Sequence, residues 1–419
     1  MNGRASLAIR VTFAAGLALA AAPAGAASSF DRWLRNPYPV AAGFSFPVGD
    51  GEGGGTYKDA AGNQHDGWYV ATHLGDEYAL AAPARSAGVR RPEKTDSRTP
   101  RLWRGATGIH TGEDWNGRGG GDTDFGQPVM AIATGKVVVA QRFANPWGQV
   151  VMIEHIVLDG PDKRRVRSQY AHLSRIDVRE GQVVHARDVI GAVGKDPDGA
   201  YPAHLHLELR SDLTLGPTYW PSDHGRDAAW IRKHYLDPSA FIRAHRKLPD
   251  PAAERQIVLV DQARFRMQVR VGGRVARELE IGLGQAAGQK RREGDLRTPK
   301  GIYFVVDKQK GSFGGEWGDY FGGYWIKMNY PGPADAAWGV DNGVIDDAGA
   351  AAIVSAWSER KLTPQNTPLG SGIGFHGWAS DWQGGRSGAR LSFGCVVLHN
   401  RDIASWFDEV SLGTMVVIF

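Results

Sequence analysis

Short runs in which apolar and polar residues alternate, separated by glycine turns, recur along most of the chain and limit the folds open to it. The first half contains PVMAIATGKVVVAQ, GQVVMIEH, DVIGAVG and HLHLELR, and the second half contains RQIVLVDQ, RFRMQVRV and GIYFVVD. A repeat of two residues is typical of a β-strand with one buried face. The sequence therefore predicts a mainly β protein.

The positions of these runs divide the chain of 419 residues, which is long enough for about two domains or more. Residues 27–107 are irregular and rich in glycine, and we treat them as an N-terminal extension leading into the first β domain, without an assigned structure. A β-rich domain is predicted over 108–245, ending in the more helical passage DAAWIRKHYLDPSAFIRAH. A linker is predicted over 246–255 and a second β-rich domain over 256–419, with a helix in DAGAAAIVSAWSERK.

The first 26 residues have the three parts of a secretory signal. Two arginines, Arg4 and Arg10, precede an apolar run, and Ala24-Gly25-Ala26 offers a cleavage site. We therefore expect a signal peptide at residues 1–26 and a periplasmic or secreted mature protein. The apolar run is short and no later stretch approaches twenty apolar residues, so no membrane span is expected. The net charge of +4 comes without a lysine or arginine block, and no nucleic-acid partner is expected.

The run HLHLELR contains two histidines, His204 and His206, on the same face of a predicted strand, because side chains two residues apart in a strand project together. Upstream, GIHTGEDWN supplies His110 and Asp114, and YAHLS supplies His172. A catalytic zinc ion takes three nitrogen or oxygen ligands and leaves one position for water. The sequence offers two histidines and an aspartate for that set, with further histidines for proton transfer.

The three segments, H-x-x-x-D, then Y-x-H-L, then H-L-H-x-E, resemble the lysostaphin-type (LytM-like) zinc endopeptidases, which cut peptide bridges of peptidoglycan. The resemblance runs from about Gly108 to Arg210 and implies a LytM-like antiparallel β-sheet metallopeptidase domain. It implies that Zn²⁺ is bound by His110, Asp114 and His206. It also implies that His172 and His204 flank the metal as catalytic residues, with the general base left open between them.

Cys395 is the one cysteine of the chain, so an intramolecular disulfide is impossible and the thiol is either an inert packing residue or a reactive group. It ends the segment S-F-G-C, and His376 lies upstream in F-H-G. This arrangement resembles the YkuD-type L,D-transpeptidases over about 256–419, which implies a β-sandwich with a short helix. The resemblance implies that Cys395 is the nucleophile and His376 its base. It further implies that Ser392 orients the pair and that backbone N–H groups at Gly394 and Cys395 bind the oxyanion.

Two positions depart from the YkuD-type pattern. Phe393 stands where the family often has histidine, and Val397 stands where it has arginine. Because arginine can hold a carboxylate through two hydrogen bonds and valine cannot, recognition of a substrate carboxylate is in question. His399 and Arg401 are candidates to compensate. Transpeptidation and hydrolysis at Cys395 therefore both stay open.

The sequence predicts a secreted bifunctional enzyme that remodels peptidoglycan, with stem peptides and their crosslinks as its partners. One alternative is an endopeptidase whose cysteine domain hydrolyses or only binds substrate, and another is a catalytically inactive wall-binding regulator. The sequence indicates no particular protein partner. Residues 27–107 could occlude the metal site, and the candidate side chains for this are Asp50, Glu52, His65 and His73.

Overall fold

The computed structural model describes residues 27–79, 107–144, 146–160, 162–199, 201–314, 319–379, 382 and 389–419. The predicted signal peptide at 1–26 and the charged run at 85–101 lie outside the described residues. No helix in the described part of the chain is both long and apolar enough to cross a membrane.

Residues up to Arg35 form one unit and residues 36–419 form a second. In the first unit, a short helix is capped by the Ser28 hydroxyl, which accepts a hydrogen bond from the Asp31 N–H (3.0 Å).

The strands and helices below are numbered in chain order. The described strands are β1 (Thr56–Lys58), β2 (Gln64–Asp66), β3 (Trp68–Thr72), β4 (Glu77–Ala79), β5 (Thr107–Ile109), β6 (Glu113–Gly117), β7 (Pro128–Met130), β8 (Gly135–Arg142), β9 (Gln149–Val157), β10 (Arg164–Ile176), β11 (Val183–Val184), β12 (Val189–Val193), β13 (Leu205–Arg210), β14 (Tyr235–Leu236), β15 (Gln256–Asp261), β16 (Arg266–Val271), β17 (Arg274–Glu280), β18 (Leu283–Gly284), β19 (Gly301–Lys310), β20 (Tyr324–Met328), β21 (Gly374–His376), β22 (Arg390–Ser392), β23 (Val396–Val397) and β24 (Met415–Ile418). The described helices are α1 (Ser29–Leu34), α2 (Ala228–His234), α3 (Pro238–Ala244), α4 (Pro333–Asp341), α5 (Asp347–Ser358) and α6 (Asn400–Phe407).

The first large sheet is antiparallel, as expected. Its described strands run in the order β11-β8-β9-β10-β13-β6-β3, and β7, β12 and β14 pair beside this path. The strand β10 is thirteen residues long and pairs with β9, β12 and β13, so it forms the middle of the sheet. Apolar side chains from alternate positions, among them Ile153, Tyr170 and Leu205, are buried in one core. The mainly β prediction is confirmed, and β9 and β13 are buried at nearly every position, so both of their faces are covered.

The segment after residue 36, which the sequence left irregular, contributes to this first sheet. The strand β3 pairs with β6 and extends the sheet edge. Phe44, Phe46 and Val48 belong to the same core as the main strands, and the Phe46 ring lies 5.1 Å from the Trp115 ring. These three residues alternate along the chain, but they lie outside regular strands, so the period of two here does not mark a strand of the sheet.

The passage predicted as helical after residue 226 consists of two helices, α2 and α3, separated by the short strand β14. Asp227 and Asp237 cap the two helices by accepting backbone hydrogen bonds (2.8 and 2.7 Å). Pro238 opens α3, where its missing N–H is no loss. Between them, Leu236 pairs with Leu209 of β13, so the passage extends the sheet beside the strand that contains His204 and His206.

The second large sheet contains the described strands in the order β17-β16-β15-β24-β19-β20-β21-β23. Most neighbours are antiparallel, but β15 with β24 and β21 with β23 are parallel pairs. Its core is separate from the first and includes Val258, Tyr303, Phe375 and Trp406. The predicted helix is α5, which Asp346 caps by accepting a hydrogen bond from the Gly349 N–H (2.8 Å). The β-rich second half with a helix is therefore confirmed.

The predicted linker at 246–255 is held at both ends. The Leu248 N–H donates to the Ala42 carbonyl (3.0 Å), so the start of the linker packs with the first sheet. Near its other end, Glu254 forms an ion pair with Arg360 of the second half. The connection that remains between these anchors is a short turn around residues 250–253.

Candidate metal centre and cysteine site

Three donor atoms, two from neighbouring strands and one from the segment between β5 and β6, converge in the first sheet. Strand register places His206 of β13 opposite Asp114 of β6, and His110 lies just before β6. His110 Nε2 lies 3.1 Å from Asp114 Oδ1 and 3.0 Å from His206 Nδ1, and Asp114 Oδ1 lies 2.9 Å from His206 Nδ1. Two imidazole nitrogens and one carboxylate oxygen at this spacing could hold a metal ion. The donor set has the number and the chemistry of a catalytic zinc site.

Gly112 permits this convergence. A Cβ atom at Gly112 would lie 2.1 Å from the Leu207 carbonyl oxygen of β13, far inside contact distance. Only glycine therefore allows the segment between His110 and Asp114 to run so close to the neighbouring strand.

A second layer of hydrogen bonds orients both imidazoles. His110 Nδ1 donates to the His73 carbonyl (3.2 Å), and His206 Nε2 donates to Glu208 Oε1 (3.2 Å). In a neutral ring with its proton on this nitrogen, the opposite ring nitrogen keeps its lone pair for the centre. Glu208 is completely buried and accepts a hydrogen bond from Arg210 Nε (2.7 Å). The sequence analysis assigned no role to Glu208 or Arg210, although the alternation in HLHLELR places both on the face of the histidines.

The charges of this cluster depend on burial and on mutual hydrogen bonds. Burial raises the pKa of Asp114, but hydrogen bonds with His110 and His206 outweigh it and hold this pKa well below its usual range. Burial lowers the pKa of His206, yet its hydrogen bonds to Asp114 and Glu208 raise it to about 9. A metal ion bound by this group would therefore displace a proton from His206.

The two further predicted residues, His172 and His204, lie beside the three donor atoms. Their rings are 4.9 Å apart, the His172 ring is 5.6 Å from the His206 ring, and His204 Nε2 is 3.8 Å from Asp114 Oδ1. Burial lowers the pKa of both imidazoles. Both are therefore neutral near pH 7, the state in which an imidazole can accept a proton.

Two tryptophan rings, those of Trp147 and Trp220, border the metal centre. The Trp147 ring lies 6.1 Å from the His206 ring and 5.7 Å from the Trp220 ring. The sequence analysis did not single out these residues. They lie outside the strands, where periodicity gives no signal.

Three of the four side chains considered for occlusion of this site, those of Asp50, Glu52 and His65, have other partners. Asp50 accepts hydrogen bonds from backbone groups of its own loop, and Glu52 forms an ion pair with Arg246. His65 binds a carboxylate of its own hairpin (3.0 Å). His73 reaches the centre through its backbone carbonyl, as described above. Within this segment, the His73 backbone therefore supports the centre.

The second predicted site lies where two parallel strands meet. The pairing of β21 with β23 places His376 opposite Val397, and Cys395 directly precedes β23. The buried Cys395 thiol donates to the Gly372 carbonyl (3.4 Å). His376 Nδ1 donates to the Gly377 carbonyl (2.6 Å), while its Nε2 has no hydrogen-bond partner among the described residues. That nitrogen can accept a proton.

Ser392 shapes the turn that carries the thiol. Its hydroxyl donates to the Cys395 carbonyl (2.7 Å) and accepts from the Gly394 N–H (3.2 Å). Gly394 has a φ of 144°, and a Cβ there would lie 2.9 Å from the Arg297 carbonyl oxygen. Ser392 thus acts on the backbone of the turn, and it holds the Gly394 N–H that the resemblance assigns to an oxyanion.

Both partners of the cysteine site are uncharged at neutral pH in this conformation. Burial raises the pKa of Cys395 to about 12, against the opposing charge of Lys290, and burial lowers the pKa of His376 to about 4. Lys290 is itself buried and donates to Asp295 (2.9 Å). It is a cation near the thiol that the sequence analysis missed.

The positions that depart from the YkuD-type pattern have distinct surroundings. Phe393 is 52% exposed, stacks on the Tyr320 ring (5.7 Å) and donates its N–H to the Tyr320 hydroxyl (3.2 Å). The Tyr320 ring also lies 4.9 Å from the His376 ring, so Tyr320 and Phe393 form an aromatic cover at the site. Tyr320 belongs to the aromatic-rich stretch GEWGDYFGGYWIKMNYPG.

The two candidates for replacing the absent arginine do not provide a free cation at the thiol. His399 stacks on the Trp382 ring at 4.2 Å with the planes nearly parallel. Arg401 lies in α6 with 84% of its side chain exposed and an ion pair to Asp402. Val397 is buried in β23.

The described residues thus form two candidate sites, one around a His-Asp-His donor set in an antiparallel sheet and one around a cysteine and a histidine on parallel strands. Residues 108–216 match the model of peptidase family M23, and residues 255–418 match the model of the L,D-transpeptidase catalytic domain. The chain thus contains an M23 segment followed by an L,D-transpeptidase segment. The two matches support a role in peptidoglycan remodelling.

Individual relatives match parts of the chain. Lipoprotein NlpD of Yersinia enterocolitica is 32% identical over 85 residues, which are 20% of this chain and 78% of that protein. Murein hydrolase activator NlpD of Salmonella dublin is 26% identical over 166 residues, which are 37% of this chain and 42% of that protein. The lysostaphin catalytic domain of Staphylococcus simulans is 23% identical, with 32% of this chain and 80% of that chain covered and a TM-score of 0.22. An uncharacterized protein of Neisseria meningitidis is 32% identical over 127 residues, and the chain spans only 20% of its length and 42% of the length of the Salmonella protein.

Proposed function

We propose that this protein is a peptidoglycan-remodelling enzyme of the bacterial envelope, periplasmic or secreted. It combines a zinc-dependent endopeptidase site in the first sheet with a cysteine acyl-transfer site in the second. The observation that carries the proposal is the convergence of His110 Nε2, Asp114 Oδ1 and His206 Nδ1 within 3.1 Å of one another. Its substrates are peptide crosslinks and stem peptides of the cell wall.

The residues of the centre fit zinc. His110, Asp114 and His206 would hold the ion, and the hydrogen bonds to the His73 carbonyl and to Glu208 set the ring nitrogens that face it. Bound zinc supplies a Lewis acid and lowers the pKa of a water ligand towards about 7. Three protein ligands leave room for that water.

His172 and His204 carry the proton of the hydrolysis. In cleavage of an amide, water adds to the carbonyl carbon, the C–N bond breaks, and one proton passes from the water to the leaving amine. A neutral imidazole can accept this proton and then, as an imidazolium, return it to the amine. Once protonated, it can also donate a hydrogen bond to the developing oxyanion.

The cysteine site supports acyl transfer. Cys395 Sγ would form a thioester with the substrate carbonyl as the C–N bond breaks, and His376 Nε2 would pass the thiol proton to the leaving amine. Attack of a second amine on the thioester makes a new amide bond, while attack of water trims the peptide. Tyr320 and Phe393 lie at the approach to this pair.

A second candidate is a wall-binding regulator, because one relative is named a murein hydrolase activator. An intermediate possibility is an active endopeptidase whose cysteine half only binds substrate. The uncharged state of Cys395 and His376 favours this possibility, since a thiol is a weak nucleophile.

Muropeptide analysis separates these functions. Purified sacculi with added Zn²⁺ would be incubated with wild type and with the His206→Ala and Cys395→Ala variants, with His185→Ala as a control at an exposed histidine. We expect His206→Ala to lose the products of crosslink cleavage and to keep those of acyl transfer, and Cys395→Ala to show the reverse. If the wild-type protein binds sacculi and leaves their muropeptides unchanged, the enzyme proposal is wrong and the regulator function stands.

A further inference from the structure

Tyr201 lies between the two histidines that flank the metal centre, in the loop before β13. Its ring is 4.6 Å from the His172 ring and 5.1 Å from the His204 ring. Its hydroxyl donates to the Pro146 carbonyl (2.9 Å) and lies 3.1 Å from His172 Nδ1. The motifs that carry the family resemblance do not include Tyr201. Because this phenol contacts both histidines, its hydroxyl can influence which of their ring nitrogens carries a proton.

The hydroxyl of Tyr201 fixes where the proton of His172 lies. A phenol has one O–H proton, and Tyr201 gives it to the Pro146 carbonyl. The Tyr201 oxygen can then only accept a hydrogen bond from His172, so His172 Nδ1 carries the ring proton. A neutral imidazole protonated at Nδ1 keeps its lone pair at Nε2. His172 Nε2 is therefore a proton acceptor.

The backbone of His172 is held by the same neighbouring segment. His172 has a φ of 61°, in the left-handed region that residues other than glycine seldom adopt. Its N–H donates to the Trp147 carbonyl (3.0 Å). The main chain of His172 thus binds Trp147, and its ring binds Pro146 through Tyr201. A backbone conformation of this kind persists only where its surroundings hold it.

We propose that Tyr201 is a positioning residue whose hydroxyl fixes the ring orientation and the tautomer of His172. This proposal rests on the proposed endopeptidase function for its catalytic meaning, but the positioning can be observed without activity. Tyr201 acts on the proposed reaction through His172.

The Pro146 carbonyl is the other group that could fix the orientation of the His172 ring. It lies close enough to the His172 imidazole to accept a hydrogen bond directly. The Tyr201→Phe variant distinguishes the two, because it keeps the aromatic ring beside His172 and His204 and removes only the hydroxyl. The matched control is Tyr69→Phe in β3, where the phenol is 39% exposed and its ring faces Arg118.

The test combines three measurements on the full chain with zinc added. Nitrogen-15 NMR of histidine-labelled protein, with His172 assigned from a His172→Gln variant, reports which ring nitrogen carries the proton. Turnover of a soluble crosslinked muropeptide gives kcat and KM, and elemental analysis gives zinc per chain. For Tyr201→Phe we expect loss of the single Nδ1–H tautomer and a kcat lower by about tenfold, part of the 10²–10⁴-fold that acid–base catalysis provides. KM and zinc content should not change, and Tyr69→Phe should match wild type throughout.

Three outcomes would overturn the proposal. An Nδ1–H signal that persists in Tyr201→Phe would show that the Pro146 carbonyl alone holds the ring. An unchanged kcat would show that the hydroxyl is not needed, and a loss of zinc would show that Tyr201 supports the fold of the centre instead. If wild type itself cleaves nothing, the endopeptidase function fails, and the NMR comparison still decides the positioning.

Discussion

At the scale of single residues, the thiol of Cys395 shows how burial controls chemistry that the sequence predicts. The segment S-F-G-C and the upstream histidine predict a reactive cysteine. The structure places this cysteine in a buried position, where the charged thiolate is disfavoured and its pKa rises to about 12. Residue type and spacing do not report burial. The reactivity of this thiol is therefore set by its surroundings, including the cover formed by Tyr320 and Phe393.

Alkylation of Cys395 should therefore depend steeply on pH. In the folded protein we expect the rate with iodoacetamide to rise up to pH 10 without a plateau, because the pKa of this thiol is raised. At pH 7 the rate should be roughly 10³-fold below that of an ordinary cysteine, whose pKa is about 8.5. The same protein in urea is the control, since the exposed thiol should level off above about pH 9. A plateau near pH 8 in the folded protein would contradict the buried, neutral state.

Some residues of the two sites could be identified from the sequence, and others only from the structure. His110, Asp114 and His206 could be picked out because their motifs are compact and ordered along the chain. Tyr201 could not, because its contact with His172 joins residues 29 positions apart that only the fold brings together. Lys290 is separated from the thiol in the same way. Contacts of this kind leave no periodic or local signal in a single sequence.

At the scale of elements, the alternating runs were sufficient to predict β13, which carries His206, but not β6, β21 and β23, which position the other site residues. The run HLHLELR is β13, and DAGAAAIVSAWSERK contains α5. The short strands before residue 80 were missed, since β1, β2 and β4 have three residues each and cannot display a repeat. The close approach of β6 to β13 also could not be predicted from the composition of the sequence.

The close contact at Gly112 gives a prediction for these two strands. In Gly112→Ala, the new methyl group would lie 2.1 Å from a backbone oxygen of β13, which cannot move aside as a flexible side chain could. The start of β6 should shift, at a cost of about 1–3 kcal/mol in stability, and His110 and Asp114 should move away from His206. We expect a lower Tm and weaker zinc binding in competition with a chromophoric chelator.

The control for this substitution is Gly216→Ala. Gly216 has no positive φ, and a Cβ there would have nothing within 4 Å, so this variant should keep wild-type Tm and zinc affinity. If Gly112→Ala binds zinc as tightly as wild type, then the close contact does not determine the geometry of the donor atoms.

At the scale of the whole molecule, the two halves have separate cores and a short connection. One core extends from Ala41 to residue 248 and the other from Val258 to Ile418. The Leu248 and Glu254 contacts hold the two ends of the connection to opposite halves, which leaves only a turn around 250–253 between them. The fusion therefore joins two sites, proposed to act on one polymer, through a short connection between the halves that carry them.

This arrangement predicts that the intact chain remodels sacculi faster than its separated halves. A short tether gives the second site an effective concentration on the order of millimolar near a crosslink that the first has opened. Fragments 27–252 and 253–419, mixed in equal amounts at micromolar concentration, lose this advantage. We expect slower appearance of muropeptides that carry the products of both sites, while each fragment keeps its own rate on small soluble substrates. Thermal unfolding of each fragment provides the control for folding, and equal rates for the mixture and the intact chain would show that the two sites act independently.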